Sequence, residues 1–189
     1  MGKLVYTGIT SLDGYIADEN GDFDWSEPDE EVHQFANDLE RETGIHLYGR
    51  RLYEVMSWWE TMPRDESHTE EARILNEYAD LWRAAEKVVY STTLDRASSE
   101  RTRIERSFDP VAIELLKSGQ SRPLYIGGAD LAGQALAHGL VDEIRMLVSP
   151  VIVGGGTPLL PKGLKLDLEL LTTRTFGNGV VYLAYRVGR

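Results

Sequence analysis

Three short stretches of this chain carry the donors that phosphate oxygens require. The first is Tyr125-Ile126-Gly127-Gly128-Ala129-Asp130-Leu131, an apolar run that meets two glycines and then a helix-like segment. Two glycines let the backbone approach an anion closely, and the free N–H groups of a helix start point at it. Neither a Walker loop nor the G-x-G-x-x-G fingerprint is matched, so alone the stretch reads as a plain strand-to-helix turn. The second is Tyr48-Gly49-Arg50-Arg51, whose guanidinium groups can hold a phosphate with two donors at once. The third is Tyr90-Ser91-Thr92-Thr93, a run of hydroxyls just past an expected strand end. Singly, each is satisfied by a solvated turn. Together they lie at the carboxyl ends of expected strands, where open α/β sheets bind ligands. Two phosphate-binding patches, one rich in Arg and hydroxyls, fit a dinucleotide with a 2′-phosphate.

A fourth stretch, Trp25-Ser26-Glu27-Pro28-Asp29-Glu30-Glu31, sets carboxylates at a helix start beside an aromatic. Such a carboxylate can anchor or protonate a ring nitrogen, although acids at a helix N-terminus are common for their own sake. His33 stands three positions after Glu30, on the same helix face. His46 and His138 read as structural. No H-x-x-x-H pair occurs, so no metal site is expected. The chain has no Cys, which excludes disulfides and thiolate chemistry. Ser11 and Asp13 do not form a nucleophile elbow. Trp58 and Trp59 read as core or interface rather than as a substrate platform.

These residues need elements to hold them. Strands are expected over 3–9, 45–48, 87–91, 102–106, 123–126 and 143–153, the last broken by Pro150. Helices are expected from Pro28 to a stop at Gly44, and over 69–85, 110–117 and 131–138. Residues 166–175 and 180–187 flank Phe176-Gly177-Asn178-Gly179, a strong hairpin signal. The alternation of β and α, ending in antiparallel strands, predicts an α/β fold. Its mixed sheet is mainly parallel, with an antiparallel C-terminal hairpin and helices on both faces. No linker or repeat is visible, so residues 1–189 are expected to form one domain.

With 189 residues, 42% hydrophobic and 27% charged, the composition is that of a globular protein. A net charge of −11 disfavours nucleic acid but leaves room for a local cationic pocket. No apolar run is long enough to span a membrane and no signal peptide is seen, so a cytoplasmic protein without membrane contacts is expected.

The segments resemble the dihydrofolate reductase superfamily, in the branch containing the C-terminal reductase domain of bacterial riboflavin-biosynthesis proteins. Ser11-Leu12-Asp13-Gly14-Tyr15-Ile16-Ala17 is similar to its "SLDG-x-I-A" signature. Gly127-Gly128-Ala129-Asp130-Leu131 with Gly139-Leu140-Val141-Asp142-Glu143 is similar to "GG-x-x-L … GLVDE". Residues 150–159 are similar to "P-x-x-x-G-G-G-x-P-L". The resemblance implies NADPH. Gly49, Arg50, Arg51, Ser91, Thr92 and Thr93 would hold the 2′-phosphate side. Gly127, Gly128, Ala129, Asp130 and Leu131 would hold the pyrophosphate, and Ile9, Thr10 and Ile16 the nicotinamide.

The same resemblance implies reduction of a small pyrimidine- or pterin-like ring, as in 5-amino-6-(5-phosphoribosylamino)uracil reductase. Asp13 and Glu30 are the candidate catalytic groups, with Trp25 and His33 beside the substrate. Glu30 follows Trp25 by five positions and Pro28 by two, the spacing of the dihydrofolate reductase carboxylate. Dihydrofolate reductase is therefore an alternative. The chain departs from the riboflavin branch at Thr7 and at Ala36-Asn37, where that branch carries cations, so a non-catalytic NADPH-binding or ligand-sensing protein is a second alternative. Members of the family often form homodimers, and one is expected here.

Overall fold

The computed structural model describes residues 2–188. Its elements run Leu4–Ser11 (β1), Tyr15–Ala17 (β2), Glu30–Glu40 (α1), Ile45–Gly49 (β3), Arg50–Met56 (α2), Trp58–Thr61 (α3), Glu70–Ala84 (α4), Glu86–Tyr90 (β4) and Thr102–Glu105 (β5). Pro110–Ser118 (α5), Leu124–Gly127 (β6), Ala129–Ala137 (α6), Glu143–Ser149 (β7), Thr157–Pro158 (β8), Leu168–Thr175 (β9) and Val181–Val187 (β10) complete them.

Three of the helices start as local chemistry dictates. Asp29, Thr69 and Asp109 each precede a helix and accept an N–H of its first turn: Val32 at 3.0 Å, Ala72 at 3.2 Å and Val111 at 2.9 Å. Pro110 at the first position of α5 costs no hydrogen bond there. Helix α1 ends at Glu40, short of the expected stop at Gly44. Gly44 instead donates its N–H to the Pro123 carbonyl at 2.8 Å, and so lies within the link to β3.

The main sheet has eight strands in the order β5-β4-β3-β6-β1-β7-β10-β9. All neighbours are parallel except β10, which is antiparallel to both β7 and β9. The expected mixed α/β sheet with its C-terminal hairpin is what forms. Strands β1, β3, β4 and β6 are near-continuous apolar runs because both of their faces are covered. On one face Leu4, Tyr6, Ile45, Leu47, Ile126 and Ile144 pack with Ile113 of α5 and Leu131 and Leu136 of α6. On the other, Val32 of α1 packs with Leu147, Tyr182 and Ala184, while Tyr48 and Val89 pack with Tyr53 and Trp82. Helix α1 is fixed to α4 by buried Asn37, whose amide donates to the Ile74 carbonyl at 3.0 Å and to Glu77 at 3.1 Å.

Lys87 is buried and donates to the Trp82 and Ala85 carbonyls, each at 2.8 Å, which closes the end of α4. Burial pulls its ammonium down to about 8. Two elements escape the local pattern. Helix α3 is a single turn, and β8 is two residues paired with β2. Trp58 is exposed, whereas Trp59 packs against Tyr78 with ring centroids 4.6 Å apart.

Candidate functional site

The strand order makes β4, β3 and β6 successive neighbours, so the turns that follow them share one edge of the sheet. The Arg50 guanidinium donates to the Thr93 hydroxyl at 2.6 Å, across the gap between two of those turns, and to Glu54 at 2.8 Å. Arg51 and Thr92 are exposed beside them. The Ser91 hydroxyl is used within its own turn, accepting the N–H of Leu94 at 3.0 Å. Gly128 takes φ +93°, and a Cβ there would lie 3.5 Å from the Gly49 nitrogen. The third turn therefore packs directly on the start of α2.

Helices α2 and α6 start just after Gly49 and Gly128, and neither has a side-chain cap, unlike α1, α4 and α5. Their first-turn N–H groups, including those of Ala129, Asp130 and Leu131, are unclaimed by side chains. Two helix starts with free amides, a guanidinium and hydroxyls form one donor-rich edge, the chemistry that phosphate oxygens need.

Beyond it lies the end of β1. Thr10 is buried, its hydroxyl donating to the Tyr15 carbonyl at 3.2 Å, so it shapes the β1–β2 turn. Ile9 packs with the α1-side cluster and Ile16 with the cluster on the opposite face. Asp13 accepts the N–H groups of Gly154 at 2.8 Å and Val153 at 3.2 Å. Hydrogen bonds from the Ser11 hydroxyl, then from those amides, hold its carboxyl below the usual range. It clamps the β1–β2 turn to residues 151–156. The clamp closes tightly further on, where a Cβ on Gly156 would sit 2.1 Å from the Ala17 carbonyl oxygen.

A cavity of about 220 Å³ opens beside Ile9, lined also by Trp25, Ser26, Glu27, Pro28, Val32, Leu147, Ser149, Pro150, Asn178 and Val180. The Trp25 indole nitrogen is buried without an acceptor. The structure thus brings Ile9 and Trp25 together. Glu30 lies elsewhere, in a groove of about 370 Å³ with Gln34, Asp38, Glu70 and Arg174. His33 packs edge-on against Trp59 and Tyr78, at 5.9 and 5.4 Å, and burial lowers its pKa. Neither shares the cavity of Trp25.

Four polar lining residues, Ser26, Glu27, Ser149 and Asn178, were not singled out by sequence as site residues. Ser26 and Glu27 lie in the stretch that was, but Ser149 and Asn178 arrive only through the neighbour relation β1-β7-β10, which leaves no local signal. His46 is buried, stacked on Tyr48 at 5.2 Å and paired with Glu40. Among the described residues no cluster of His, Asp and Glu is arranged to hold a metal ion, and no helix is long and apolar enough to cross a membrane.

Against known proteins, the family model of the RibD C-terminal domain matches residues 2–182. The uncharacterized protein YyaP of Bacillus subtilis (strain 168) is 31% identical over 190 residues, covering 97% of this chain and 94% of that protein. Among solved structures, a Shewanella sp. PV-4 protein provisionally assigned to riboflavin biosynthesis superposes with a TM-score of 0.75. It is 20% identical and each chain covers 99% of the other. The diaminohydroxyphosphoribosylaminopyrimidine deaminase/5-amino-6-(5-phosphoribosylamino)uracil reductase of Thermotoga maritima superposes at 0.59 with 14% identity, covering 99% of this chain and 57% of that one. At these identities the two solved structures establish a shared fold.

Proposed function

This chain belongs to the RibD C-terminal domain family, and from that premise we propose that it is an NADPH-dependent reductase of a small pyrimidine- or pterin-like ring. One observation carries the reading. Helices α2 and α6, neither with a side-chain cap, both start on the same sheet edge, with Gly128 packed on Gly49 and with Arg50 and Thr93 alongside.

That edge fits a doubly phosphorylated nucleotide. The first-turn amides of Ala129, Asp130 and Leu131 would take the pyrophosphate, with Gly127 and Gly128 letting the backbone come close, and Arg50, Arg51, Thr92 and Thr93 the 2′-phosphate, with Ser91 setting the turn that presents them. Ile9, Thr10 and Ile16 would form and shape the nicotinamide pocket. When bound, the reduced nicotinamide supplies the hydride. The chain's own contribution is to orient the reactants and to exclude water. Ile9, Val32, Leu147 and Val180 give the cavity apolar walls. Asp13 acts as a positioning residue by holding residues 151–156 over the end of β1.

Assembly as a homodimer belongs to the same reading. It is supported by the exposed edge strand β9, which presents Leu168, Leu170 and Leu171. The direct test is calorimetric titration with NADPH and NADH. Micromolar binding with a clear preference for NADPH is the expected outcome, and no heat with either coenzyme overturns the reading.

A further inference from the structure

The cavity beside Ile9 carries a single charge. Of the described residues that line it, Glu27 is the only ionisable one; its polar neighbours Ser26, Ser149 and Asn178 are neutral. The Glu27 carboxylate has no hydrogen-bond or ion-pair partner among the described residues. The cations on adjacent strands are already engaged. Arg145, two positions before Leu147 on β7, donates to Glu143 at 2.8 Å and to the Tyr125 hydroxyl at 3.0 Å. Arg174 on β9 is paired with Glu31 at 2.9 Å and lies over the Phe176 ring at 4.6 Å.

A phosphate ester entering this cavity meets an unpaired carboxylate and no free cation, an unfavourable like-charge encounter. A ring with amino and N–H groups meets an acceptor that no described protein group already occupies. The Asn178 side-chain oxygen already accepts the Val180 N–H at 3.0 Å, which leaves its amide to donate to a ring carbonyl.

We propose that the substrate is an unphosphorylated, amino-substituted heterocycle, and that Glu27 selects it by accepting its N–H edge and repelling phosphorylated relatives. The proposal rests on the reductase reading above. Two probes separate it from that reading: 5-amino-6-(ribosylamino)uracil and its 5′-phosphate, each titrated into the full chain saturated with NADP⁺, with NADPH oxidation followed in parallel.

The unphosphorylated probe is expected to bind about tenfold tighter than the phosphate. Glu27→Gln should shrink that ratio mainly by improving the phosphate, and Glu27→Lys should reverse it. Circular dichroism confirms that each variant folds, as expected for an exposed position. Equal or tighter binding of the phosphate by the wild type overturns the proposal. So does failure of both probes to bind the coenzyme-loaded protein, or a ratio indifferent to both variants. Absence of coenzyme binding is a separate result that fails the reductase reading itself.

Discussion

On the proposed reading, coenzyme choice turns on Arg50. It reaches from the start of α2 to Thr93 across the edge, and a 2′-phosphate there would gain a charge-assisted hydrogen bond, about 1.5–3 kcal/mol. Arg50→Ala is therefore expected to weaken NADPH binding by about 10- to 100-fold while NADH affinity stays within about twofold, read by calorimetry. Asp13 makes a prediction of a different kind. Its folded pKa is depressed by the Ser11 hydroxyl and the Gly154 and Val153 amides. Its contribution is present above the ordinary carboxylate range and is lost as pH falls through the lowered value. The difference in Tm between wild type and Asp13→Asn should be full at pH 7 and shrink as pH falls below the ordinary carboxylate range and through the lowered value. A difference that persists in acid would show that the clamp works through packing instead.

At the scale of elements, the turn between β6 and α6 depends on a backbone that side chains rarely adopt. Gly128 sits at φ +93°. Gly128→Ala should cost about 1–3 kcal/mol, lowering Tm by about 2–4 °C per kcal/mol in a chain of this size. It should weaken coenzyme binding further, because the first amides of α6 are displaced. Loss of stability with unchanged NADPH affinity would detach this turn from the coenzyme.

The elements that declared themselves in sequence did so through local chemistry, as in the acidic helix start at Pro28-Asp29-Glu30-Glu31 and the Gly-Asn-Gly turn between β9 and β10. What stayed hidden was set by contacts far apart in the chain. Strand β8 exists only because Thr157 and Pro158 reach back to β2. Glu30 and Glu27 differ by three positions in one acidic stretch. Only the seating of α1 on the sheet and against α4 sends the first to the groove of Glu70 and the second to the cavity of Ile9. Asn178 looked like turn chemistry, and its place in the cavity follows from β10 lying beside β7.

For the whole molecule, the unprotected edge is β9, all eight of whose residues are exposed. Edge strands of that length are usually blunted or paired. Light scattering of the 21.2 kDa chain is expected to give about twice that mass, and Leu170→Lys to return it to the monomer value. A monomeric wild type would remove the dimer from the reading. The position of β1 has a different consequence. It pairs with β6 on one side and β7 on the other, strands that lie 120 or more positions later, as in Leu4 opposite Leu124. On the ribosome, β1 must wait until about 120 further residues have been made before either partner exists. Through that interval its apolar residues stand open to chaperones, and premature release of the nascent chain before residue 149 would leave this strand with an unprotected side.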